Sequence, residues 1–293
     1  MGQTVTAQQT ILYALAGEVH VGPKRIRALL AQYGDPDSIW EAPPDEVAAT
    51  ARLDQEGFER LLTARLMTEA ISEDLELLAQ SGTRTLSLVD EDYPERLFRL
   101  SDPPTVLFVR GTLPVEPHTS IAVVGTHQAD AEGIADAVKW GRGLVQRGAR
   151  VVSGLARGID GGAHTGAVAG DGMTDAVLGC GFGNIYPPEH DVLARQIQQC
   201  GSLISEHHPR ETVTKPRLVM RNRIIVGMAD AVVVVRLHAD SKGSLETIRR
   251  AQDLAIPCFL VATDTGQSAV QAVADGAIPI GLEPDFDVVL KYL

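Results

Sequence analysis

The stretch Ser153-Gly-Leu-Ala-Arg-Gly-Ile-Asp-Gly-Gly-Ala-His164 follows a short apolar run and opens a segment rich in alanine and glycine. This order is typical of a strand, a tight turn and the start of a helix. Backbone N–H groups at such a turn can receive phosphate oxygens, and Gly154 and Gly158 carry no side chain that would keep a ligand away. The stretch therefore predicts an anion site. Arg157 either binds the anion or pairs with Asp160, and we favour the anion contact.

Short β-branched runs alternate with helical segments from residue 121 onward. The predicted strands are residues 121–125, 150–153, 175–178, 203–205, 231–237 and 258–262. The run Ala231-Val-Val-Val-Val-Arg-Leu237 has the apolar character of a strand that is buried on both faces. This alternation predicts βαβ units, and hence an α/β fold with a doubly wound, mostly parallel sheet.

Distinctive residues follow the end of almost every predicted strand. They are Gly125-Thr126-His127, Gly154 to Asp160, Gly179-Cys-Gly181-Phe-Gly-Asn184, Glu206-His-His208 and Lys242-Gly243-Ser244. In open parallel sheets, ligands bind outside the carboxyl ends of the strands, where the strand order reverses. We therefore expect these loops to line a single cleft.

The segment Arg221-Asn222-Arg223 places two cations two residues apart. On a helix, such residues point to different faces. We expect one arginine to enter the cleft and the other to form a structural pair. Asn222 bonds either to loop backbone or to a ligand.

The charge is unevenly distributed along a chain of 293 residues with a net charge of −12. Residues 1–115 carry 10 basic and 18 acidic side chains, whereas residues 116–293 carry 16 and 20. Within 210–223, five cations stand against the single carboxylate of Glu211: Arg210, Lys215, Arg217, Arg221 and Arg223. This pattern indicates a focused basic patch on an acidic protein, although Arg210 and Lys215 would serve equally well as solvated surface charges.

The first part of the chain is predicted to be helical. The predicted helices are residues 7–16 (capped by Thr6), 23–33 (closed by Gly34), 44–51 and 55–80. Val21-Gly-Pro-Lys-Arg25 resembles the hairpin of helix-hairpin-helix modules, but His20 stands where a second glycine is usual, and a plain helix connection is the alternative. The prediction is a small helical domain, similar to SAM or helix-hairpin-helix domains.

Prolines at 103, 104, 114 and 117 exclude a continuous helix between the two parts. We expect residues 105–109 to form a strand and place the boundary near Pro117. The predicted division is a helical domain at 1–85, a connecting segment at 86–117 and the α/β domain at 118–293.

Composition excludes several classes of protein. Cys180, Cys200 and Cys258 are too far apart in sequence for a CxxC metal site, and His207-His208 has no third ligand at zinc spacing. No apolar run approaches the length of a membrane span, and no signal peptide is evident. We expect a cytoplasmic protein that has no metal, no cofactor and no membrane contact.

The motifs together resemble the DNA-processing protein A family (DprA, also called Smf). The resemblance rests on Ser153 to Asp160 with Ala163-His164, Ile185-Tyr186-Pro187, Leu203-Ile-Ser-Glu206, Arg221-Asn-Arg-Ile-Ile225 and Gly243-Ser-Leu, together with Tyr93-Pro94 and Asp102-Pro-Pro upstream. It implies a Rossmann-like domain and a bacterial protein that is not an enzyme. It also implies binding to single-stranded DNA, homodimer formation, and loading of RecA recombinase during natural transformation (competence).

The resemblance and the strand-end positions together give a set of predicted DNA- or phosphate-binding residues. They are Gly125, Thr126, His127, Ser153, Gly154, Arg157, Gly158, Asp160, Gly181, Asn184, Glu206, Lys215, Arg221, Asn222, Arg223, Gly243 and Ser244. We predict no catalytic residue among them.

Several positions depart from the family pattern. His127 replaces an arginine, which exchanges a permanent guanidinium for an imidazole that is ordinarily neutral at pH 7. Pro188 stands in place of a lysine, Leu218 in place of an aromatic residue and Arg236 in place of a glutamate. The 293 residues do not include the winged-helix-like domain that often ends family members.

Two other functions remain open from the sequence. The first is a nucleotide-binding sensor with the same Rossmann-like fold, which the loss of basic residues favours. The second is a phosphoribohydrolase, in which a helix start like that at Gly243 supplies a catalytic glutamate. Arg250 occupies that position here, so the hydrolase lacks its acid–base group.

Overall fold

Thr6 caps the first helix in the computed structural model, which describes residues 4–113, 118–238, 242–261, 266–281 and 284–293. The Thr6 hydroxyl accepts a hydrogen bond from Gln9 N at 3.1 Å, and the Gln9 side chain accepts one from Thr6 N at 3.0 Å. This reciprocal pair satisfies two backbone donors that a helix start otherwise leaves open. The chain divides into two compact units, residues 1–110 and 111–293. The boundary predicted near Pro117 lies outside the described residues.

The first unit is mainly helical. Its elements are α1 (Ala7–Tyr13), α2 (Pro23–Tyr33), α3 (Pro36–Glu41), α4 (Pro44–Thr50), α5 (Gln55–Leu66), α6 (Thr68–Gln80), β1 (Arg84–Ser87) and β2 (Val106–Gly111). The two strands pair antiparallel, with Leu86 opposite Leu107. The small helical region and the strand expected near 105–109 are thus both present.

Two helix predictions in this unit were wrong in their bounds, and one helix was missed. The helix predicted over residues 7–16 ends its α-geometry at Tyr13 and continues as a π-helical turn, Ala14–Glu18. The stretch 55–80 is two helices, because Met67 leaves the helical region and the Thr68 hydroxyl bonds to the Arg65 carbonyl at 2.9 Å. Helix α3 was not predicted, although Asp35 before Pro36 is a standard helix start.

The second unit is built on a parallel sheet. Its strands are β3 (Ser120–Val124), β4 (Arg150–Ser153), β5 (Thr174–Leu178), β6 (Ser202–Ser205), β7 (Ala231–Val234), β8 (Cys258–Val261) and β9 (Ile278–Ile280). Their order across the sheet is β6-β5-β4-β3-β7-β8-β9, and the neighbouring pairs are parallel. All six predicted strands are present, β7 is shorter than predicted, and β9 was not predicted.

Helices connect these strands. They are α7 (Ala131–Val145), α8 (Ile159–Ala169), α9 (Asp191–Cys200), α10 (Lys215–Met220), α11 (Asn222–Gly227), α12 (Lys242–Asp253), α13 (Gln267–Ala274) and α14 (Phe286–Lys291). Ile121 and Val123 pack in one apolar cluster with Trp140 of α7, while Ala122 on the opposite face is also fully buried. Both faces of the sheet are therefore covered, as the doubly wound prediction requires. Within the described residues, the helices are too short or too polar to cross a bilayer.

The strand order places the topological switch point between β3 and β7. The chain passes from β3 to β4 on one side and later returns to the other side of β3 as β7. Ile121 lies opposite Val151 on one side and Ala231 on the other. Loops that leave the carboxyl ends of β3 and β7 diverge here, and such divergence opens a crevice for a ligand.

Candidate functional site

A cleft of about 210 Å³ lies at this switch point. Its walls come from the turn after β3, the start of α8, helices α10 and α11, and the start of α12. The lining residues are Val124, Gly125, Thr126, His127, Gln128, Ala156, Asp160, Leu218, Val219, Arg221, Asn222, Ile225, His238, Gly243, Ser244 and Thr247. The ligand position that the fold class predicts is thus a real concavity.

The turn after β3 is held closely against its neighbours. Thr126 N donates to the Arg236 carbonyl at 3.0 Å, and the Thr126 hydroxyl accepts from Gln128 N at 3.1 Å. A Cβ at Gly125 would lie 2.6 Å from Ile159 Cγ1. Glycine is required here because the turn passes directly over the start of α8. His127 is exposed at the cleft mouth.

The glycine turn after β4 packs against this first turn. Gly158 adopts φ +73°, and a Cβ there would overlap the Thr126 carbonyl oxygen. Ile159 N donates to the same oxygen at 3.3 Å. The glycine thus permits a close approach of two backbone segments, which fixes the floor of the cleft.

Arg221 lines the cleft, but its side chain is almost fully buried. Its Nη1 donates to the carbonyls of Gly154 and Val177, and its Nη2 lies 3.6 Å from the Asp160 carboxylate. A Cβ at Gly154 would overlap the guanidinium. Gly154 was predicted to leave room for a bound anion. That space is instead filled by the Arg221 side chain.

Burial shifts the pKa of both members of this pair. Desolvation raises the pKa of Asp160 against the opposing effect of Arg221, and desolvation lowers the pKa of Arg221. The Coulombic attraction between the two side chains offsets part of each cost. The pair joins α8 to the junction of α10 and α11.

Asn222 is oriented by its neighbour. Arg221 Nε donates to Asn222 Oδ1 at 3.0 Å, so the Nδ2 donors of the amide point away from that bond. Asn222 Nδ2 would lie 3.9 Å from a Cβ at Gly243, across the cleft. The side chain that offers a donor to the cleft is therefore the neutral Asn222 amide, which Arg221 orients, and not the Arg221 guanidinium.

Arg157 does not pair with Asp160. Its Nε and Nη2 donate to the two carboxylate oxygens of Glu189, the second at 3.0 Å, and both side chains are about half exposed. Its guanidinium carbon lies 5.6 Å from the centre of the Tyr186 ring. Among the residues that line the cleft, Arg157 is absent.

Arg223 is the structural member of the Arg-Asn-Arg motif. Its Nη2 donates to Glu206 Oε1 at 2.6 Å, and the arginine is 3% exposed. Arg221 lines the cleft but directs its guanidinium to protein groups, whereas Arg223 forms the expected structural pair. This pair also accounts for Glu206, which is committed to Arg223.

The turn after β5 lies apart from the cleft lining. Gly181 N donates to the Glu211 carbonyl at 2.8 Å, and Asn184 Nδ2 donates to the Arg210 carbonyl at 3.1 Å. A Cβ at Gly181 would overlap the His208 carbonyl. These residues hold the 206–214 loop in place.

The structure divides the predicted site residues into two groups. Eight line the cleft: Gly125, Thr126, His127, Asp160, Arg221, Asn222, Gly243 and Ser244. Nine do not: Ser153, Gly154, Arg157, Gly158, Gly181, Asn184, Glu206, Lys215 and Arg223. The expectation that all the strand-end loops line one cleft was therefore wrong for the loops after β5 and β6. Those loops leave the sheet on the far side of β4.

Helix α10 forms an exposed wall of the cleft. Val219 and Met220 are 47% and 46% exposed, and Lys215 is exposed at the start of the same helix. Lys215 makes no ion pair with any residue that the structure describes. Arg217, by contrast, is paired with Glu211. The wall thus combines one available ammonium group with a small apolar surface.

Eight other lining residues were not among the predicted site residues: Val124, Gln128, Ala156, Leu218, Val219, Ile225, His238 and Thr247. Gln128 and His238 follow β3 and β7, so the strand-end rule should have included them. Val219 carries no motif signal, because an exposed valine on a short helix is unremarkable in sequence.

Comparison with known proteins gives the family. The family model described as DNA recombination-mediator protein A matches residues 84–281. The chain belongs to this family. The Smf protein of Synechocystis is 31% identical over 237 residues, covering 80% of this chain and 59% of that protein. The DNA processing protein DprA of Bacillus subtilis is 34% identical over 183 residues, covering 62% and 61%. The chain thus spans about 60% of the length of these curated relatives.

Solved DNA recombination-mediator proteins share the fold. The X-ray structure of DNA processing protein A from Streptococcus pneumoniae superposes with a TM-score of 0.83 at 25% identity, covering 99% of both chains. The protein from Helicobacter pylori, described with a single-stranded DNA binding mode, has a TM-score of 0.63 at 23% identity, covering 72% of this chain and 95% of that one. Membership in the family and the Rossmann-like α/β fold predicted from the sequence are both confirmed.

Three of the positions that depart from the family pattern, His127, Leu218 and Arg236, lie in the cleft lining or beside its first turn. His127 and Leu218 line the cleft. Arg236 lies under the first turn, where its Nη2 donates to Asp136 at 3.1 Å. Arg250, which replaces the carboxylate of a phosphoribohydrolase, pairs with Glu246 at 3.2 Å. Arg236 and Arg250 thus both pair with carboxylates of the protein.

Proposed function

We propose that this chain binds single-stranded DNA along α10 and the switch-point cleft and acts as a recombination mediator. The observation that carries the proposal is the convergence of eight motif residues on one cleft in a member of the DNA recombination-mediator family. The Helicobacter pylori relative, described as binding single-stranded DNA, supports the choice of ligand.

The available charges predict weak binding by few phosphate contacts, with a shallow salt dependence. Lys215 offers an ammonium group beside the cleft, Asn222 offers amide donors within it, and Arg157 stands outside it. Arg221 and Arg223 are buried and committed to protein groups. The phosphate charge is therefore met by about one or two cationic side chains, for which the log–log salt slope is about −0.7 to −1.4.

The apolar exposed part of α10 suits the bases. Val219 and Met220 offer a surface against which an unstacked base can pack beside the Lys215 ammonium. The phosphates and the bases of the DNA strand are then contacted by neighbouring side chains of α10. Such contacts position the strand without reading its sequence.

Titration of labelled oligo-dT at several salt concentrations tests this function. Lys215→Ala should weaken binding and reduce the slope by about 0.7, since one phosphate contact is lost. Lys291→Ala, which removes the same charge from an exposed position of α14 outside the cleft lining, is the matched control. Undetectable binding to oligo-dT at low salt would reject the proposal.

Nucleotide binding is the second candidate, and the neutral lining of the cleft favours it. Thr126, Asn222 and Ser244 offer hydroxyl and amide groups, while the Arg221 charge is directed inward. Such groups suit the edges of a base or a ribose. Protection against thermal unfolding by a mono- or dinucleotide, without any binding of oligo-dT, would favour this function over the first.

We further propose RecA recombinase as the partner and a homodimer as the working form, both from the family. Ile248 and Ile256 are buried within the protomer, so these two side chains are unavailable for a dimer surface. Val270 and Val273 of α13 are 66% and 45% exposed and supply an apolar surface instead. Val270→Glu should shift the mass in solution to that of a monomer. A wild-type monomer mass at high micromolar concentration would reject the dimer.

A further inference from the structure

Arg157 holds a carboxylate in the geometry with which arginine binds phosphate. Nε and Nη2 of the guanidinium each donate to a different oxygen of Glu189. This two-point geometry is the one that arginine uses with both carboxylates and phosphates. The edge of Arg157 that a phosphate would use is therefore occupied by a group of the protein itself.

The position of Glu189 is set by its neighbours. It lies in a short 3₁₀ turn, Pro188–His190, just before α9. His190 Nδ1 donates to the Leu155 carbonyl at 2.8 Å, which ties this turn to the glycine turn that carries Arg157. A Cβ at Gly161 would lie 2.6 Å from His190 Cε1, so the two segments are closely packed. The carboxylate is thus held beside the guanidinium by contacts on the residue that follows it.

Tyr186 completes the enclosure of the guanidinium. Arg157 Nη1 donates to the Tyr186 hydroxyl at 3.5 Å, and the ring lies beside the guanidinium carbon. Glu189 remains 51% exposed, however, so solvent and solutes reach the pair. An exposed pair of this kind contributes little to stability and exchanges partners readily.

We propose that Glu189 competes with DNA phosphate for Arg157, and that this competition lowers the affinity of this chain for single-stranded DNA. The inference rests on the proposed function, because it requires a nucleic acid phosphate at Arg157. The competing carboxylate repels the approaching phosphate and leaves the guanidinium only when a phosphate replaces it. Glu189 thereby sets the affinity of the Arg157 contact without contacting DNA.

The test compares two variants that each remove one negative charge. Glu189→Gln removes the competitor, whereas Asp191→Asn removes an exposed carboxylate two residues away whose partner, Arg195 at 2.7 Å, has no place in the proposed site. Binding of labelled oligo-dT is measured for the full chain at low salt, with thermal unfolding as the check that each variant is folded. Arg157→Ala and the double variant with Glu189→Gln complete the cycle.

Glu189→Gln should tighten binding about three- to five-fold, as expected for release of an exposed ion pair. Asp191→Asn should change it less than about 1.5-fold, and the gain should vanish in the Arg157→Ala background. The salt slope of Glu189→Gln should steepen by up to about 0.7 because one more phosphate is neutralised.

Two outcomes overturn the inference, and they are distinguishable. If wild type binds and Glu189→Gln binds no more tightly than Asp191→Asn, Glu189 does not compete, while the DNA-binding function stands. If neither wild type nor any of the variants binds oligo-dT, the proposed function fails and this inference fails with it.

Discussion

The Arg221 guanidinium lies 3.6 Å from the Asp160 carboxylate, and both side chains are less than one-tenth exposed. The same guanidinium bonds to the carbonyls of Gly154 and Val177, so one side chain joins β4, β5, α8 and α11. The sequence motif assigns Arg221 to phosphate binding. In this protein, its guanidinium instead holds together the elements that form the cleft.

Removal of Arg221 should destabilise the protein. Arg221→Ala leaves Asp160 buried without its partner, which typically costs about 3–5 kcal/mol. Urea denaturation measures the loss in the free energy of unfolding. Arg195→Ala, at an exposed ion pair, is the control and should change that free energy by less than about 0.5 kcal/mol. An Arg221→Ala variant as stable as the control, with only its DNA affinity lost, would show that Arg221 is a ligand contact.

Two glycine substitutions distinguish the structural contacts of Arg221 from the ligand-binding surface of the cleft. Gly154→Ala places a Cβ on the Arg221 guanidinium and should lower the free energy of unfolding by about 1–3 kcal/mol. Gly243→Ala meets nothing nearer than Asn222 Nδ2 at 3.9 Å, so stability should be unchanged or slightly higher. Its methyl group narrows the cleft beside the Asn222 amide, so ligand affinity should fall. Equal destabilisation by both variants would contradict this assignment.

Stability should fall as the pH drops below about 6.5. Burial lowers the pKa of His164 to about 3 and that of His207 to about 4. Because the unfolded chain protonates these histidines first, the folded state loses stability between their unfolded and folded pKa values. From pH 7 to pH 5, the loss is about 2 kcal/mol for His164 and up to that much for half-buried His207.

Denaturation at a series of pH values, with His207→Gln as the comparison, checks this prediction. The variant should show a shallower decline, since only the His164 contribution remains. The raised pKa of Asp160 acts in the opposite direction, because its protonation is favoured in the folded state. A free energy of unfolding that stays constant from pH 7 to pH 5 would count against both histidine assignments.

His127→Arg should tighten the binding of single-stranded DNA at neutral pH. The new guanidinium stands at the exposed mouth of the cleft and adds a permanent charge where the family usually has one. Oligo-dT affinity should rise several-fold, with a salt slope steeper by about 0.7. Gln80→Arg adds the same charge to the exposed end of α6 and is the control. An equal gain in both variants would indicate a net-charge effect and not a contact.

Local sequence was sufficient to predict the helices and strands that depend on neighbouring residues. The Thr6 cap involves Gln9, three residues away, and α2 begins and ends at Pro23 and Tyr33 as predicted. The strands of the sheet are recognisable in the sequence as apolar β-branched runs. Misjudged boundaries, such as the break at Met67, arise where a single side chain competes with the helix for a backbone carbonyl.

The sequence by itself determined the α/β class, the family and the positions of the strand-end loops, because periodicity and short motifs depend on residues close together in the chain. Tertiary structure alone decided the partners of the charged side chains. Arg221 reaches carbonyls 67 and 44 residues away, and Arg157 pairs with Glu189, 32 residues away, instead of the nearby Asp160. The strand order brings those groups together, and burial then favours the arrangement in which every charge has a partner.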